Sequence, residues 1–323
     1  MYTNQKPFFI RVVTPLHAGT GSDIGIIDMP IQRERHTNFP KIESSGLKGS
    51  LREYFETTLK DKKTEIDLVF GPEKNGGEHA AAFALTDASV LFFPVKSAKG
   101  VYALITCPSV LKRYNEFCGL YAEKPLKDID DVKGGNCLVA NKEKVSFDGK
   151  EVVFEEFAFN VTGRIDDDMK KHFNFVDSER IVCVSDDVFR DFVTLSTELI
   201  TRNRVDPVTG TVQNGALFSE EFLPPETVLY SFLQTGPVNA EVKDGDVTNY
   251  LENKYGPKNT KPFEEGKKEY LKEKYGIDDL GAWKKENTVC QFLTTNFPDV
   301  FQIGGDATIG KGLVKIYGIK EEA

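Results

Sequence analysis

The connection between the first strand and the first helix constrains this chain more than any other feature. About 30 residues, 15–44, separate an apolar run at 8–13 from the start of helical periodicity at Ser44 or Ser45. In compact domains a connection this long is either functional or without fixed structure. Here Ile24, Ile26, Ile27, Ile31 and Phe39 supply apolar surface, so the segment is expected to pack and stay ordered. The helix that follows takes Ser44 or Ser45 as its cap. It repeats Leu47, Leu51, Tyr54, Phe55 and Leu59 at helical spacing, with Lys48, Arg52 and Glu56 on another face. Two strand-like runs, 89–95 and 101–107, meet across a short linker and read as a hairpin. Pro108 opens a second helix carrying Val110, Leu111, Tyr114, Phe117 and Leu120, and a further strand is placed at 151–159. The order β-α-β-β-α-β is that of a ferredoxin-like, or RNA-recognition-motif-like, unit. The predicted class is therefore α+β with long loop insertions.

The second half is less regular. A strand is expected at 181–184, then a helix capped by Ser185, with Asp186 and Asp187 in its first turn where the helix dipole favours anions. Segments 201–205 and 211–218 flank Asp206-Pro207-Val208-Thr209-Gly210, whose Pro and Gly mark a turn, so 201–218 is a candidate projecting hairpin. Residues 241–285 are dense in charge, Gly and aromatics and are expected to form a surface insertion with partial disorder. A short helix at 288–297, a strand at 300–303, a glycine-rich loop at 304–312 and a closing strand at 313–319 complete the chain.

Composition narrows the function classes. With 40% hydrophobic and 28% charged residues in 323, the chain is neither fibrous nor disordered, and no apolar run approaches the roughly 18 residues of a membrane span. Five scattered cysteines without a C-x-x-C pair indicate neither a disulfide framework nor a zinc site, which fits a cytoplasmic location. The net charge of -9 argues against indiscriminate nucleic-acid coating, yet residues 1–52 hold seven Lys/Arg against four Asp/Glu. An acidic body with a basic N-terminal segment can still grip a phosphate backbone locally.

Two glycine motifs invite nucleotide readings and fail them. In 19–25 the last glycine comes one residue late for a dinucleotide fingerprint and no helix opens on it. In Gly305-Asp306-Ala307-Thr308-Ile309-Gly310-Lys311-Gly312, Gly312 stands where a P-loop needs Ser or Thr, and a strand follows instead of a helix. What survives is a loop whose exposed N–H groups, with Lys311, suit a phosphate. Asp23 and Asp28 are the carboxylates nearest the basic segment; each serves equally well as a turn brace, and His17 and His36 as hydrogen-bonded loop residues.

The runs His17-Ala18-Gly19, Asp28-Met29-Pro30-Ile31-Gln32-Arg33-Glu34-Arg35-His36-Thr37, Phe39-Pro40-Lys41-Ile42, Ser45-Gly46-Leu47-Lys48-Gly49 and 303–312 resemble the RAMP proteins of CRISPR RNA-silencing systems. The similarity is greatest to the repeated backbone subunit of type III-B Cmr complexes and extends along nearly the whole chain, the 241–285 insertion excepted.

The resemblance implies that residues 1–323 form one elaborated RAMP domain with an RNA-recognition-motif palm. Copies would stack as a filament along guide crRNA, with other Cmr subunits as partners and no membrane, while a thumb hairpin, here 201–218, displaces nucleotides at regular intervals. It places guide-RNA contacts on Ser45, Lys48, Arg52, Gly304, Gly305, Gly310, Lys311 and Gly312, and the basic run adds Arg33 and Arg35. It puts the target-cleaving residue at Asp28. The implied activity is a metal-dependent endoribonuclease that cuts complementary single-stranded target RNA within the assembled complex, Asp28 ligating Mg²⁺ or Mn²⁺ or accepting the 2′-OH proton. His17 is a second catalytic candidate; Glu221 and Glu226 are weaker ones. The alternatives are an architectural crRNA-binding subunit without nuclease activity, and a guide-processing ribonuclease, which the four unpaired histidines (His17, His36, His79, His172) disfavour.

Overall fold

The computed structural model describes residues 2–22, 25–72, 79–120, 123–127, 130–203, 209–212, 217–285 and 287–320. The strands are β1 (Asn4–Val12), β2 (Lys41–Ile42), β3 (Phe83–Leu85), β4 (Ala88–Ser97), β5 (Val101–Thr106), β6 (Asn136–Val139), β7 (Glu151–Phe154), β8 (Phe157–Arg164), β9 (Ile181–Cys183), β10 (Glu198–Arg202), β11 (Phe218–Phe222), β12 (Val228–Thr235), β13 (Val300–Gln302) and β14 (Leu313–Tyr317). The helices are α1 (Ser44–Thr58), α2 (Lys63–Phe70), α3 (Pro108–Leu120), α4 (Lys142–Val145), α5 (Asp167–His172), α6 (Asp186–Leu195), α7 (Asp244–Tyr255), α8 (Phe263–Tyr275), α9 (Leu280–Trp283) and α10 (Thr288–Asn296). Among the described residues no helix is long and apolar enough to cross a membrane.

Among the described residues twelve strands form one sheet, in the order β13-β14-β1-β12-β4-β5-β9-β6-β8-β7, with β2 on β4, β3 on β12 and β7 pairing back onto β4. At its centre β1 is antiparallel to both β12 and β14, and β12 to β4. Side chains alternate across these strands. Phe8 faces Phe297 at 5.6 Å, on the side where Phe55 of α1 meets Phe292 of α10 at 6.0 Å. Phe9 turns to the opposite side, against Tyr114 of α3, Phe173 and Phe175. Both faces of the centre are thus covered, which is why Phe8, Phe9 and Ile10 are buried in succession.

The mixed α+β class holds, but the strand partners differ from those expected. A ferredoxin-like unit made of the six sequence-assigned elements would set 8–13 beside 101–107; β1 instead lies between β12 and β14. The expected strand at 151–159 divides into β7 and β8, and β7 pairs back onto β4 at Ser97↔Phe154 and does not lie beside β1. The local patterns identified strands correctly, but consecutive strands are neighbours only about two-thirds of the time.

Helix α1 is not capped by Ser44 or Ser45. Glu43 is the N-cap without a side-chain bond, and Asp87 Oδ1 accepts the Ser44 N–H at 2.9 Å, from across the β2–β4 pairing. The 241–285 insertion is also more regular than its composition suggested. It folds as α7, α8 and α9, held by a small core of Val247, Leu251 and Tyr270 and by Lys254 bridging Glu269 (2.9 Å) and Glu273 (2.6 Å). The charge density is the solvent face of packed helices. The hairpin pairs β10 with β11, Glu198↔Phe222 through Arg202↔Phe218, so its ladder begins before the expected 201–205 and continues past 218. Residues 204–208 and 213–216 of the expected hairpin lie outside the described residues.

Antiparallel pairing fixes where the loops go. The C-terminal end of β1 adjoins the N-terminal ends of β12 and β14. The long segment after β1, the β11 end of the hairpin before β12 and the glycine loop before β14 therefore share one edge of the sheet. Phe173, fully buried, joins the mid-chain elements to this centre through Phe9 at 5.7 Å and Phe92 at 4.9 Å. Phe173→Ala is expected to cost about 3–5 kcal/mol, read as a lowered urea midpoint; a loss below about 1 kcal/mol would show that the two parts are not coupled there.

Candidate active site

Strand β11 organises this edge. Leu16 and Leu223 exchange backbone bonds at 3.0 and 2.9 Å, Met29 N–H donates to Ser219 O at 3.0 Å, and Glu221 N–H donates to Met29 O at 3.0 Å. Both limbs of the segment after β1 are thereby attached to β11. They also pair with each other, Gln32 N–H to Ala18 O at 2.8 Å and Thr20 N–H to Pro30 O at 3.1 Å. Leu16, Ala18, Ile31 and Phe39 are buried, so both limbs of the segment pack onto the body, although Ile26 is fully exposed and does not help pack it. Asp23 and Ile24 lie outside the described residues.

Asp28 sits exposed in a bend beside Ser219. Its Oδ2 accepts the Ser219 N–H at 2.8 Å and the Ser219 hydroxyl at 2.9 Å. The Ser219 N–H, with the hydroxyl second, holds the Asp28 carboxyl below its ordinary pKa, so it is an anion.

Glu221 is the buried counterpart, 2% exposed. Its carboxylate accepts from Arg33 Nη2 at 2.5 Å, Thr197 Oγ1 at 2.8 Å and Ile31 N–H at 3.0 Å. Both oxygens of that carboxylate are engaged in holding chain segments together, which makes Glu221 structural. Glu226 faces away, pairing with Arg11 at 3.3 Å. His17 is likewise committed: its Nδ1 lies 2.8 Å from the Glu221 carbonyl, which can only accept, so that nitrogen carries the proton. His17 Nε2 is 3.6 Å from Glu220, a buried carboxyl whose pKa burial pushes up. Arg202 of β10 binds Glu220 at 3.1 Å and clamps both oxygens of Asp306 in the glycine loop.

That loop rests on the His17 segment. Gly305 N–H donates to His17 O and Gly312 N–H to Pro15 O, both at 2.9 Å. Gly304 has φ +82°, and a Cβ there would stand 2.1 Å from His17 O, so no side chain fits. Gly304, Gly305 and Gly310 face solvent, and Lys311 Nζ lies 5.1 Å from the centroid of the Phe222 ring.

The remaining sequence candidates separate. Ser45 and Arg35 are exposed. Lys48 packs its ammonium 4.6 Å from the Phe83 ring centroid, where burial lowers its pKa. Arg52 is used within the protein, by Glu56 and Gly71 O at 2.8 Å each and by Asp67. Arg33 is spent on Glu221 and on Asn38 O at 2.9 Å. Ser219, Arg202 and Asp306 were not singled out from the sequence, because nothing in their spacing relates them to 15–44. Among the described residues no three His, Cys, Asp or Glu side chains gather as a metal cage. A single exposed carboxylate nevertheless suits Mg²⁺, which is commonly held by one or two carboxylates together with substrate phosphates.

Glu221→Gln is expected to leave Arg33 without its counter-charge and to cost about 3–5 kcal/mol by denaturant unfolding. Parental stability would contradict the structural role assigned to Glu221.

The model of the RAMP superfamily matches residues 9–315. A Pyrococcus furiosus protein named "CRISPR system Cmr endoribonuclease Cmr4" is 35% identical over 320 residues, covering 95% of this chain and 93% of that one. A Saccharolobus solfataricus "CRISPR system CMR subunit Cmr4" is 23% identical over 270 residues, 73% of this chain and 86% of that one. The crystal structure of oligomeric Cmr4 from Pyrococcus furiosus superposes with a TM-score of 0.65 at 27% identity, covering 98% of this chain and all of the other. A chain of the type III-B Cmr-beta complex bound to cognate target RNA shares the fold, with a TM-score of 0.68 at 20% identity and 98% coverage of both. The chain therefore belongs to the RAMP superfamily and, within it, to the Cmr4 family.

Proposed function

We propose that this chain is a repeated backbone subunit of a type III-B Cmr effector complex, and that it binds guide crRNA and cuts complementary target RNA at regular intervals. Membership of the Cmr4 family supports the assembly, as do the RNA-bound and oligomeric relatives. In this reading the β14-β1-β12-β4 quartet is the ferredoxin-like palm: β1-α1-β4 and β12-α10-β14 supply its two β-α-β halves, and the mid-chain elements are an insertion. The β10–β11 hairpin is the thumb.

The observation that carries cleavage is an ionised, exposed Asp28 held against strand β11 of that hairpin at Ser219. Duplex geometry keeps a ribose 2′-OH out of line with its own 3′-phosphate, and displacing one nucleotide frees it to attack in line. The 2′-OH gives up its proton to water as its oxygen bonds to phosphorus, the 5′-oxygen of the next nucleotide leaves and takes a proton from water, and the products carry a 2′,3′-cyclic phosphate and a 5′-hydroxyl. A carboxyl with a depressed pKa is a weak base but a good anion, so Asp28 is better suited to holding a divalent cation than to taking the 2′-OH proton. The cation, when bound, offsets negative charge developing on the phosphate. We assign His17 to positioning the loop: Nδ1 is committed to Glu221 O, and the buried Nε2 faces Glu220 at 3.6 Å.

Guide phosphates are assigned to Ser45, Lys48, Lys311 and the solvent-facing Gly304, Gly305 and Gly310, with Gly312 shaping the loop and Arg35 alongside. Arg33 and Arg52 are left out because the protein already satisfies them. The acidic remainder of a chain of net charge -9 restricts binding to this edge.

Incubated with labelled complementary RNA and Mg²⁺, the assembled complex is expected to yield an evenly spaced ladder that EDTA removes. Asp28→Asn is expected to abolish the ladder while guide binding persists. Undiminished cutting by that variant would leave an architectural subunit without this nuclease site.

A further inference from the structure

The proposed chemistry needs the Asp28 carboxylate in one orientation, yet the residue lies in an exposed bend. Ser219 is what orients it. The Ser219 hydroxyl donates to Asp28 Oδ2 at 2.9 Å and accepts the Asp28 N–H at 3.1 Å, while the Ser219 N–H donates to the same Oδ2 at 2.8 Å. A hydroxyl has one proton and two lone pairs, so both hydroxyl bonds form together. The adjoining backbone is held as well, Met29 N–H on Ser219 O and Glu221 N–H on Met29 O. Both bonds that the Asp28 carboxylate accepts from Ser219 fall on Oδ2.

We infer that Ser219 is a positioning residue for RNA cleavage, its hydroxyl fixing the Asp28 carboxylate to the hairpin strand so that the element displacing a target nucleotide also sets the carboxylate beside the adjacent phosphate. This rests on the cleavage role proposed above for Asp28. Ser219 touches no reacting atom; it acts through Asp28. Alanine keeps the backbone N–H bond and loses both hydroxyl bonds. Threonine keeps the hydroxyl on a side chain that strands accept readily.

The test compares assembled complexes carrying Ser219→Ala, Ser219→Thr or Asp28→Asn in single-turnover cleavage of labelled complementary RNA, with target binding titrated separately. Ser219→Ala is expected to slow cutting about 10- to 100-fold with target affinity unchanged, and Ser219→Thr to restore most of that rate. Hydrogen exchange of a peptide spanning 25–31 in the full-length chain is expected to accelerate in Ser219→Ala and not in Ser219→Thr. Should the alanine variant fail to assemble, the exchange comparison decides. Parental cutting by Ser219→Ala, an equal loss in Ser219→Thr, a loss traced to weaker target binding, or unchanged exchange would overturn the inference. If Asp28→Asn itself cuts at the parental rate, the cleavage assignment fails; if only Ser219→Ala does, the serine's role alone is lost.

Discussion

A carboxylate removed from water must be fully bonded, and Glu221 shows what that requirement organises. Its side chain draws in Arg33 and Ile31 from the segment after β1 and Thr197 from the approach to β10, while its own carbonyl fixes His17. An unpaired charge there would cost several kcal/mol, so these segments are held in one arrangement. Two residues earlier on the same strand, Ser219 holds an exposed carboxylate in place. One short strand thus carries a buried acid that assembles the edge and holds in place the exposed acid proposed above to act on RNA.

Topology brings the parts to that strand. Because β1 is antiparallel to β12 and β14, the segment after the first strand, the hairpin and the glycine loop emerge at one end of the sheet despite lying up to about 290 residues apart in sequence. Arg202 joins the hairpin to Asp306, and Gly304 and Gly312 allow the loop to lie directly on the His17 segment. Each contact couples a surface suited to phosphate to the surface bearing the carboxylate.

Much of this was legible in the sequence, for reasons of period and spacing. The helical repeat of Leu47, Leu51 and Phe55 located α1, and the unusual length of 15–44 marked the segment that carries Asp28. The glycine loop was evident from its composition. Partners were not legible, because a strand's pattern shows which face it buries but not which strand it lies beside; hence 101–107 and 151–159 are expected beside β1, which instead lies between β12 and β14. The charged 241–285 region misled by composition, since Lys254, Glu269 and Glu273 make a helix-to-helix bridge that looks like low order when read as a string. The internal pairing of Arg33 and Arg52 was not legible, because a free and a neutralised guanidinium are identical in sequence. Ser219, a common residue 191 positions from Asp28, carried no signal at all.

The central claim is that a displaced ribonucleotide attacks its own phosphate beside Asp28. Target RNAs carrying a single 2′-deoxy substitution, moved one position at a time along the hybrid, test it most directly. At each displaced nucleotide the substitution is expected to remove that one product from the ladder and leave the others at full yield. Continued cutting at a deoxy position would mean that water or another nucleophile attacks, and the mechanism given for this site would be wrong.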